Sequence, residues 1–422
     1  MNVYSIKRKT KWEKMKIKKV VKISAIILLS AFILVLLGIL LLWHNEISTV
    51  LSIKELRPRN DAHLDGAVYE MHVSGGYYFD DFIKQGGASN DADLLKFISD
   101  HITKGLASMG YKTSKVGCSS FTAKTPDGDQ LFGRNYDMTQ TNTCIVFTKK
   151  SKNRHATVSS VDLQYLGIAP DRCVKSIYDK ILCIAAPYAP LDGMNDAGLS
   201  CAIYMSYQGG PNTVETNQQT EKPDITSTTM LRLILDYADD VDEAIELVKQ
   251  YDLHDSAECS FHYMIADKTG RSAVIEWIPP LNARDKTDND GTLRELVVTY
   301  NDKDSHIGEI EAKSDFQCVT NFILQPEYYE LSTEEEINGL VRYNMLYSAL
   351  DASNGIVADE TDGMNLLQVV GQRKRNKDQG KEINQKTWIT NHSIIYNLTD
   401  KSVFWVSNEN YGDENAAFRF SL

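Results

Sequence analysis

The chain has 422 residues, of which 42% are apolar and 24% charged, and its net formal charge is −12. The apolar fraction is normal for a globular core and argues against a disordered chain, and an acidic balance without a basic face argues against nucleic acid as a partner. Seven cysteines without a CxxC pair or a regular spacing predict neither a disulfide framework nor a metal site, and their odd number leaves at least one thiol free.

The first 43 residues predict a membrane anchor. Residues 1–22 contain nine Lys or Arg and one Glu, a charge of +8, so against the total of −12 the rest of the chain carries −20. Residues 23–43 carry no charge and, at a rise of about 1.5 Å per residue, form a helix long enough to cross a membrane. The run lacks the cleavage site of a signal peptide and ends at Trp43, a typical interfacial residue. We predict a single-pass cell-membrane protein with residues 1–22 in the cytoplasm and the rest outside.

Residues 44–117 are predicted to be an extracytoplasmic stalk followed by a structured pre-segment. Residues 44–66 are polar and suggest the stalk. Residues 66–87 suggest a strand and a glycine turn, and residues 89–111 have an Asn/Asp cap and apolar residues at helical spacing. The catalytic domain is predicted to span residues 118–422.

The most informative block is CSSFTAKTPDGDQLFGRNYDM, residues 118–138, which predicts two strands joined by a PDGD turn. If the chain is cut before Cys118, the new α-amine can serve as the general base for the thiol of the same residue, so no histidine is needed. Arg134 on the adjoining strand favours the thiolate, and Asp137 can orient the amine. Together these residues predict a cysteine nucleophile at a new N-terminus.

Beyond this block, the pattern predicts further strands and a few helices. FTAK, QLFGRN and CIVFTKK are expected to form a three-stranded meander. Residues 261–277 and 387–408 predict hairpins, residues 227–251 a pair of helices, and residues 334–350 a helix. Strand groups separated by paired helices, without βαβ alternation, predict an α+β fold.

Five segments carry a resemblance to a known family: residues 118–138, DGMNDAGLSCA (192–202), FHYMIADKTGRSAVIEW (261–277), CVTNFIL (318–324) and VRYNMLYSAL (341–350). From about Cys118 to its end, the chain resembles the choloylglycine hydrolases. These are linear-amide C–N hydrolases of the N-terminal-nucleophile class, and they include bile salt hydrolases and penicillin V acylases. The resemblance implies a four-layer αββα sandwich that needs neither a metal nor an organic cofactor.

The resemblance also implies a role for individual residues. It places the nucleophile on Cys118, the thiol-supporting arginine on Arg134 and the amine-orienting aspartate on Asp137. Two further roles, an oxyanion-side asparagine and a second active-site arginine, fall on Asn321 and Arg342.

Two neighbouring residues are the expected substrate contacts. Where bile salt hydrolases and penicillin V acylases place an Asn or Tyr, this chain has Met205, with Tyr204 next to it. The Met205 side chain cannot donate a hydrogen bond, so neither bile salt nor penicillin V is supported as the substrate.

These features predict an amidase that acts on a linear, non-peptide C–N bond of a small N-acyl substrate through a thioester, after self-cleavage between Gly117 and Cys118. Three alternatives remain. An acyltransferase would pass the same acyl group to an amine, and a catalytically silent protein anchored in the membrane would only bind. A papain-like peptidase would pair Cys118 with His262 or His392, but that class places its cysteine at a helix N-terminus, whereas Cys118 is expected on a strand.

Overall fold

The computed structural model describes residues 3–105, 117–207, 215–278, 291–301, 306–307, 310–311, 316–324 and 337–422. Its helices, numbered in chain order, are α1 (Val3–Leu42), α2 (His44–Ser52), α3 (Phe79–Lys84), α4 (Asp91–Ile98), α5 (Ile177–Cys183), α6 (Ser227–Tyr237), α7 (Val241–Val248), α8 (Leu340–Ala352), α9 (Glu360–Val369) and α10 (Gln372–Asp378). Within α1, the stretch Trp12–Leu42 is by length and composition able to cross a membrane, and its most apolar part is not buried against the rest of the chain.

Nine strands form the larger sheet, which we call sheet A. In spatial order they are β1 (Lys54–Arg57), β2 (Val68–His72), β5 (Thr143–Thr148), β6 (Thr157–Asp162), β7 (Asp192–Asn195), β8 (Leu199–Met205), β11 (Phe261–Asp267), β12 (Ser272–Ile278) and β13 (Glu295–Tyr300). Neighbouring strands are antiparallel except β2 and β5, which are parallel.

Six strands form the smaller sheet, sheet B. In spatial order they are β16 (Cys318–Val319), β3 (Gly117–Lys124), β4 (Gln130–Met138), β17 (Ile389–Asn397), β18 (Ser402–Ser407) and β19 (Ala417–Ser421). Two short pairs lie outside both sheets: β9 (Asp224–Thr226) with β10 (Asp252–His254), and β14 (His306–Ile307) with β15 (Ile310–Glu311).

The two sheets pack face to face, with helices on both outer sides. Between the sheets, the Tyr204 hydroxyl donates to Ser120 Oγ at 2.6 Å and Trp405 Nε1 donates to Ser160 Oγ at 3.3 Å. Helix α6 packs on β7 and β8 of sheet A, and α9 packs on β4 and β17 of sheet B. This layer order confirms the predicted four-layer αββα sandwich.

The segment before Cys118 is built into this sandwich. Residues 44–66, whose polar composition suggests a stalk, contain α2 and β1, and β1 and β2 form one edge of sheet A. Phe79, Phe82 and Phe97 are buried around Tyr188, with ring centroids 5.6 to 6.2 Å from its ring. The pre-segment therefore shares a core with the domain that follows it.

The predictions of individual hairpins and helices agree with the structure better than the prediction of which strands share a sheet. The predicted hairpins at 261–277 and 387–408 are confirmed as β11–β12 and β17–β18, and the helical pair at 227–251 is confirmed as α6 and α7. The expected three-stranded meander is wrong, because β5 pairs with β2 and β6 in sheet A while β4 pairs with β17 in sheet B. The helix predicted at 89–111 is α4 followed by a π-helical turn, Ser99–Thr103, and residues 106–111 lie outside the described residues.

Candidate active site

Cys118 lies on β3, whose successive side chains point to the two opposite faces of sheet B. Cys118 is opposite Tyr136 on β4, and Ser120 is opposite Arg134. These residues face sheet A, since the Arg134 guanidinium donates to the Ile203 carbonyl of β8 at 2.8 Å. Their chain neighbours Ser119 and Asp137 face the opposite side, because successive strand residues point to opposite faces.

The Cys118 thiol is fully buried next to Arg134. Arg134 Nη2 donates to Cys118 Sγ at 3.4 Å, and Sγ lies 4.0 Å from the Ile203 carbonyl oxygen. Burial raises the pKa of the thiol to about 11, and the charge of Arg134 lowers this pKa only in part. Before any cleavage, the thiol is therefore protonated at neutral pH.

Arg134 is itself held by a buried carboxylate that the sequence analysis did not single out. Arg134 Nε lies 3.0 Å from Asp192 Oδ2, and neither side chain is exposed. Asp192 also contacts His392 Nε2 at 2.9 Å and accepts from the Tyr396 hydroxyl at 2.7 Å. Burial acts to raise the pKa of Asp192, but His392, Arg134 and Tyr396 together lower it to about 2. Asp192 opens the DGMN segment of the resemblance, which is the signal that could have identified it.

Asn321 and Arg342 meet at the backbone of Cys118. Asn321 Oδ1 accepts from the Cys118 backbone N–H at 2.8 Å and from Arg342 Nη2 at 2.7 Å. Asn321 Nδ2 donates to the Met205 carbonyl at 2.8 Å, and Arg342 Nη1 donates to Ser119 Oγ at 2.6 Å. The amide nitrogen that self-cleavage would release thus already has a polar partner.

Asp137 lies beside the Gly117–Cys118 bond and away from the thiol. Its carboxylate contacts Arg342 Nη1 at 3.1 Å and accepts from Thr390 Oγ1 at 2.7 Å and Gln372 Nε2 at 3.0 Å. A Cβ at Gly117 would come within 3.3 Å of Asp137 Oδ2. The structure thus brings Cys118, Arg134, Asp137, Asn321 and Arg342 together around one peptide bond, although their catalytic roles stay predictions.

A cavity of about 30 Å³ adjoins Cys118 and Arg134. Its lining is mainly apolar and includes Leu191, Ile203, Met205 and Phe261, together with Ser227, Thr228 and Ser256. Of the two predicted substrate contacts, Met205 lines this cavity, whereas Tyr204 packs its ring 4.8 Å from the Arg134 guanidinium.

The two histidines of the peptidase alternative have other partners. His262 contacts Glu276 Oε1 at 2.9 Å and the Thr320 carbonyl at 3.0 Å, while His392 contacts Asp192. Cys118 also lies within a strand, as expected, and not at a helix N-terminus. This arrangement gives no support to a papain-like pair.

Comparison with known protein families matches residues 118–278 to the linear amide C–N hydrolases, choloylglycine hydrolase family. This segment is similar to members of that family. The match begins at Cys118 and includes Arg134, Asp137 and Asp192. The resemblance inferred from the sequence is thereby confirmed.

One curated relative and two solved structures show how similar the chain is to known members. A bile salt hydrolase/transferase of Clostridium perfringens is 29% identical over 179 residues, covering 38% of this chain and 47% of the relative, so the chain spans about half of that protein's length. A variant of conjugated bile acid hydrolase from C. perfringens has a TM-score of 0.45 at 17% identity, covering 72% of this chain and 92% of the other. Penicillin V acylase from Agrobacterium tumefaciens has a TM-score of 0.43 at 13% identity, covering 72% and 86%.

Proposed function

We propose that this chain is a membrane-anchored cysteine amidase that hydrolyses a linear, non-peptide amide after cutting itself between Gly117 and Cys118. The observation that carries the proposal is the convergence on Cys118. Arg134 contacts its thiol at 3.4 Å, and Asn321 contacts its backbone nitrogen at 2.8 Å. A structural cysteine requires neither contact, whereas an N-terminal nucleophile uses both atoms.

Self-cleavage would proceed by an N-to-S acyl shift. Sγ attacks the Gly117 carbonyl carbon, the C–N bond to Cys118 breaks, and the thiol proton ends on the released amine. Water then hydrolyses the Gly117 thioester, which yields a Gly117 carboxylate and frees the thiol. Asp137 and Arg342 lie at this bond and can stabilise the new ammonium and orient the scissile peptide.

Turnover would use the same atoms on a substrate amide. The Cys118 amine takes the thiol proton, and the thiolate, favoured by Arg134, attacks the acyl carbon. The proton passes to the departing amine as the C–N bond breaks, and water hydrolyses the thioester to a carboxylic acid. The Asn321 side chain and nearby backbone N–H groups are the proposed oxyanion donors, and the apolar cavity wall with Met205 would contact the acyl group. Tyr204 would act through Arg134, against which its ring packs.

The proposed location is the outer face of the cell membrane. The helix over Trp12–Leu42 has the length and composition to cross a membrane, and the basic residues before it are expected to remain in the cytoplasm. Residues 44–422 would then lie outside, and the chain's substrate would be a small N-acyl amide available there.

Transfer of the acyl group to an amine is the second candidate function. It is favoured by the relative in C. perfringens, whose name includes both hydrolase and transferase. Because the thioester is common to both reactions, adding an amine acceptor and measuring the ratio of acid to new amide separates them.

The amidase proposal is tested by trapping the acyl-enzyme. Purified ectodomain is mixed with a series of straight-chain N-acyl-4-nitroanilides, nitroaniline release is followed, and the acyl adduct is located by peptide mass spectrometry. We expect the adduct on Cys118, with release lost in Cys118→Ala and kept in Cys183→Ala, a change at an equally buried cysteine in α5. An adduct on another residue, or release by Cys118→Ala, contradicts the proposal.

A further inference from the structure

One wall of the cavity beside Cys118 is a short loop with a disfavoured backbone. This wall loop, residues 255–259, contributes Ser256, Ala257 and Cys259 to the cavity lining. Ala257 and Glu258 have φ angles of 63° and 53°, a left-handed conformation that costs energy for residues with a Cβ. Two such residues in succession persist only where their surroundings hold them.

One contact that holds the tip of the wall loop comes from the pre-segment. Asp91, the first residue of α4, accepts a hydrogen bond from the Ala257 backbone N–H at 2.8 Å. The base of the loop is fixed within the catalytic domain, since the Asp255 carboxylate accepts from Thr216 N and Ser227 Oγ, each at 2.9 Å. The tip and the base of the loop are thus held by segments on opposite sides of the proposed cleavage point.

The position of Asp91 is in turn fixed against the catalytic domain. Just before α4, the Gly86 carbonyl accepts from Asp224 N at 2.9 Å, and a Cβ on Gly87 would come within 1.7 Å of the Asp224 carbonyl oxygen. Asp224 starts β9, which pairs with β10, and β10 leads directly into the wall loop. The β9–β10 pair therefore fixes the position of the pre-segment relative to the wall loop.

We infer that Asp91 holds the wall loop closed and thereby limits the size of the group admitted beside Cys118, so that the pre-segment is a specificity element of the mature enzyme. The inference rests on the proposed function in taking this cavity as the acyl site. The inference is based on two observations. The cavity beside Cys118 is small, about 30 Å³, and the loop that forms one of its walls has a disfavoured backbone and donates a hydrogen bond to Asp91. Asp91 is a positioning residue, because it acts through the loop and not on the substrate.

The test measures pocket size without amide turnover. Cys118 labelling rates with iodoacetamide and with N-octyl iodoacetamide are compared by peptide mass spectrometry, with the partly exposed Cys173 as the internal reference. In Asp91→Ala, the rate of Cys118 labelling by N-octyl iodoacetamide should rise roughly tenfold relative to the rate with iodoacetamide. This is the scale expected for losing a hydrogen bond to a charged acceptor. Asp91→Asn keeps an acceptor oxygen and should restore most of the wild-type ratio.

Asp93→Ala is the matched control. Asp93 lies in the same first turn of α4 and carries the same charge, but its carboxylate accepts from Asn90 within the helix cap at 2.7 Å. Its ratio should equal that of the wild type. If Asp91→Ala and Asp93→Ala give the same ratio, or if the octyl reagent reacts relatively more slowly in Asp91→Ala, the inference is overturned. A shifted ratio in a protein that hydrolyses no amide supports the inference while rejecting the amidase.

Discussion

At the scale of single residues, the site depends on charges buried between two sheets. Arg134 contacts the Cys118 thiol on one side and Asp192 on the other, and all three side chains are fully buried. The carboxylate compensates the arginine, and the arginine is then available to favour a thiolate. Removing Asp192 leaves Arg134 buried without its carboxylate partner, whereas removing Arg134 leaves Asp192 with His392 and Tyr396 as partners.

The first prediction concerns the thiol pKa. Arg134→Met should raise the pKa of Cys118 and slow its alkylation by iodoacetamide at fixed pH by roughly tenfold, since one pKa unit changes the thiolate fraction tenfold. Arg134→Lys keeps the positive charge, so its Cys118 alkylation rate should fall less than that of Arg134→Met. The measurement is the alkylation rate at a fixed pH below the thiol pKa of about 11, where the rate is proportional to the thiolate fraction. An unchanged rate in Arg134→Met would remove Arg134 from this role.

The second prediction concerns Asp192 and acid stability. The pKa of Asp192 is lowered from 3.8 to about 2, so its ionised form stabilises the folded state above about pH 4, and this contribution of roughly 2 kcal/mol is lost as the pH falls toward 2. Asp192→Asn should lower the free energy of unfolding at pH 7 by ~3–5 kcal/mol, because Arg134 stays buried without its partner.

Urea unfolding at pH 7 and pH 3 measures both effects of Asp192. The measurement uses a Cys118→Ala background, in which the proposed self-cleavage cannot occur and unfolding involves one molecule. Asp413→Asn is the control, because Asp413 pairs with Arg57 at the surface and should contribute little. Equal stability of the Asp192 and Asp413 variants would show that the buried pair does not stabilise the fold.

Sequence reasoning found Arg134 and missed Asp192 for a physical reason. Arg134 is on the strand next to Cys118, so a local block identifies it. Asp192 and His392 are 200 residues apart and meet only when sheets A and B pack together. The charge pairing of a buried site is a tertiary property that strand periodicity does not encode.

At the scale of elements, β3 and β4 bring the Gly117–Cys118 bond and its neighbours into register. Gly117 is opposite Asp137 in this ladder, and Cys118 is opposite Tyr136. The alternation of a strand then separates the thiol from Asp137, while both stay next to one peptide bond. Hairpins of this kind are predictable because a short turn and a period of two are local signals. The sheet to which β5 belongs is not a local signal, since it depends on pairing with β2, more than 70 residues earlier.

The third prediction follows from the space at Gly117. A Cβ there would lie 3.2 Å from both Asp137 Cβ and Trp388 Cζ3, so a larger side chain must displace the groups beside the scissile bond. Gly117→Val should slow self-cleavage strongly and Gly117→Ala should slow it less, with melting temperatures close to the wild type. The measurement is the fraction of cut chain against time. Cleavage of Gly117→Val at the wild-type rate would show that this contact has no part in the step.

At the scale of the whole molecule, the pre-segment and the catalytic domain form one folded unit. Besides the shared sheet edge, Asp65 is buried and pairs with Arg373 of α10 at 2.9 Å, and the Tyr77 hydroxyl donates to Asp236 of α6 at 2.6 Å. Cleavage at Cys118 would cut the covalent link to the anchor and leave these contacts in place. The polar composition of residues 44–66 concealed this role, since β1 joins sheet A only by pairing with β2, which follows that segment.

The fourth prediction is that the two fragments stay together after cleavage. Tyr77→Phe leaves Asp236 without one buried donor and should weaken the association by about 1–3 kcal/mol. Tyr78→Phe is the matched control, because the Tyr78 hydroxyl donates at 3.1 Å to Glu46, which also precedes Cys118 in the chain. Size-exclusion chromatography of the cut protein in increasing urea should separate the fragments earliest in Tyr77→Phe. Equal midpoints for the two variants would contradict the role of Tyr77.

The same contacts predict where the mature enzyme is found. Because the pre-segment follows the proposed membrane anchor in the chain, the catalytic fragment should sediment with membranes after the proposed cleavage and be released by denaturant. A catalytic fragment found wholly in the medium, with the pre-segment left in the membrane, would show that cleavage releases the enzyme.

The most direct measurement is intact mass combined with N-terminal sequencing of the purified ectodomain, alongside an amide-hydrolysis assay of the same sample. We expect two co-purifying fragments, one beginning at Cys118, and activity that rises with the cut fraction and is absent from Cys118→Ala. A single uncut chain that hydrolyses amides would contradict a nucleophile that depends on its own free amine.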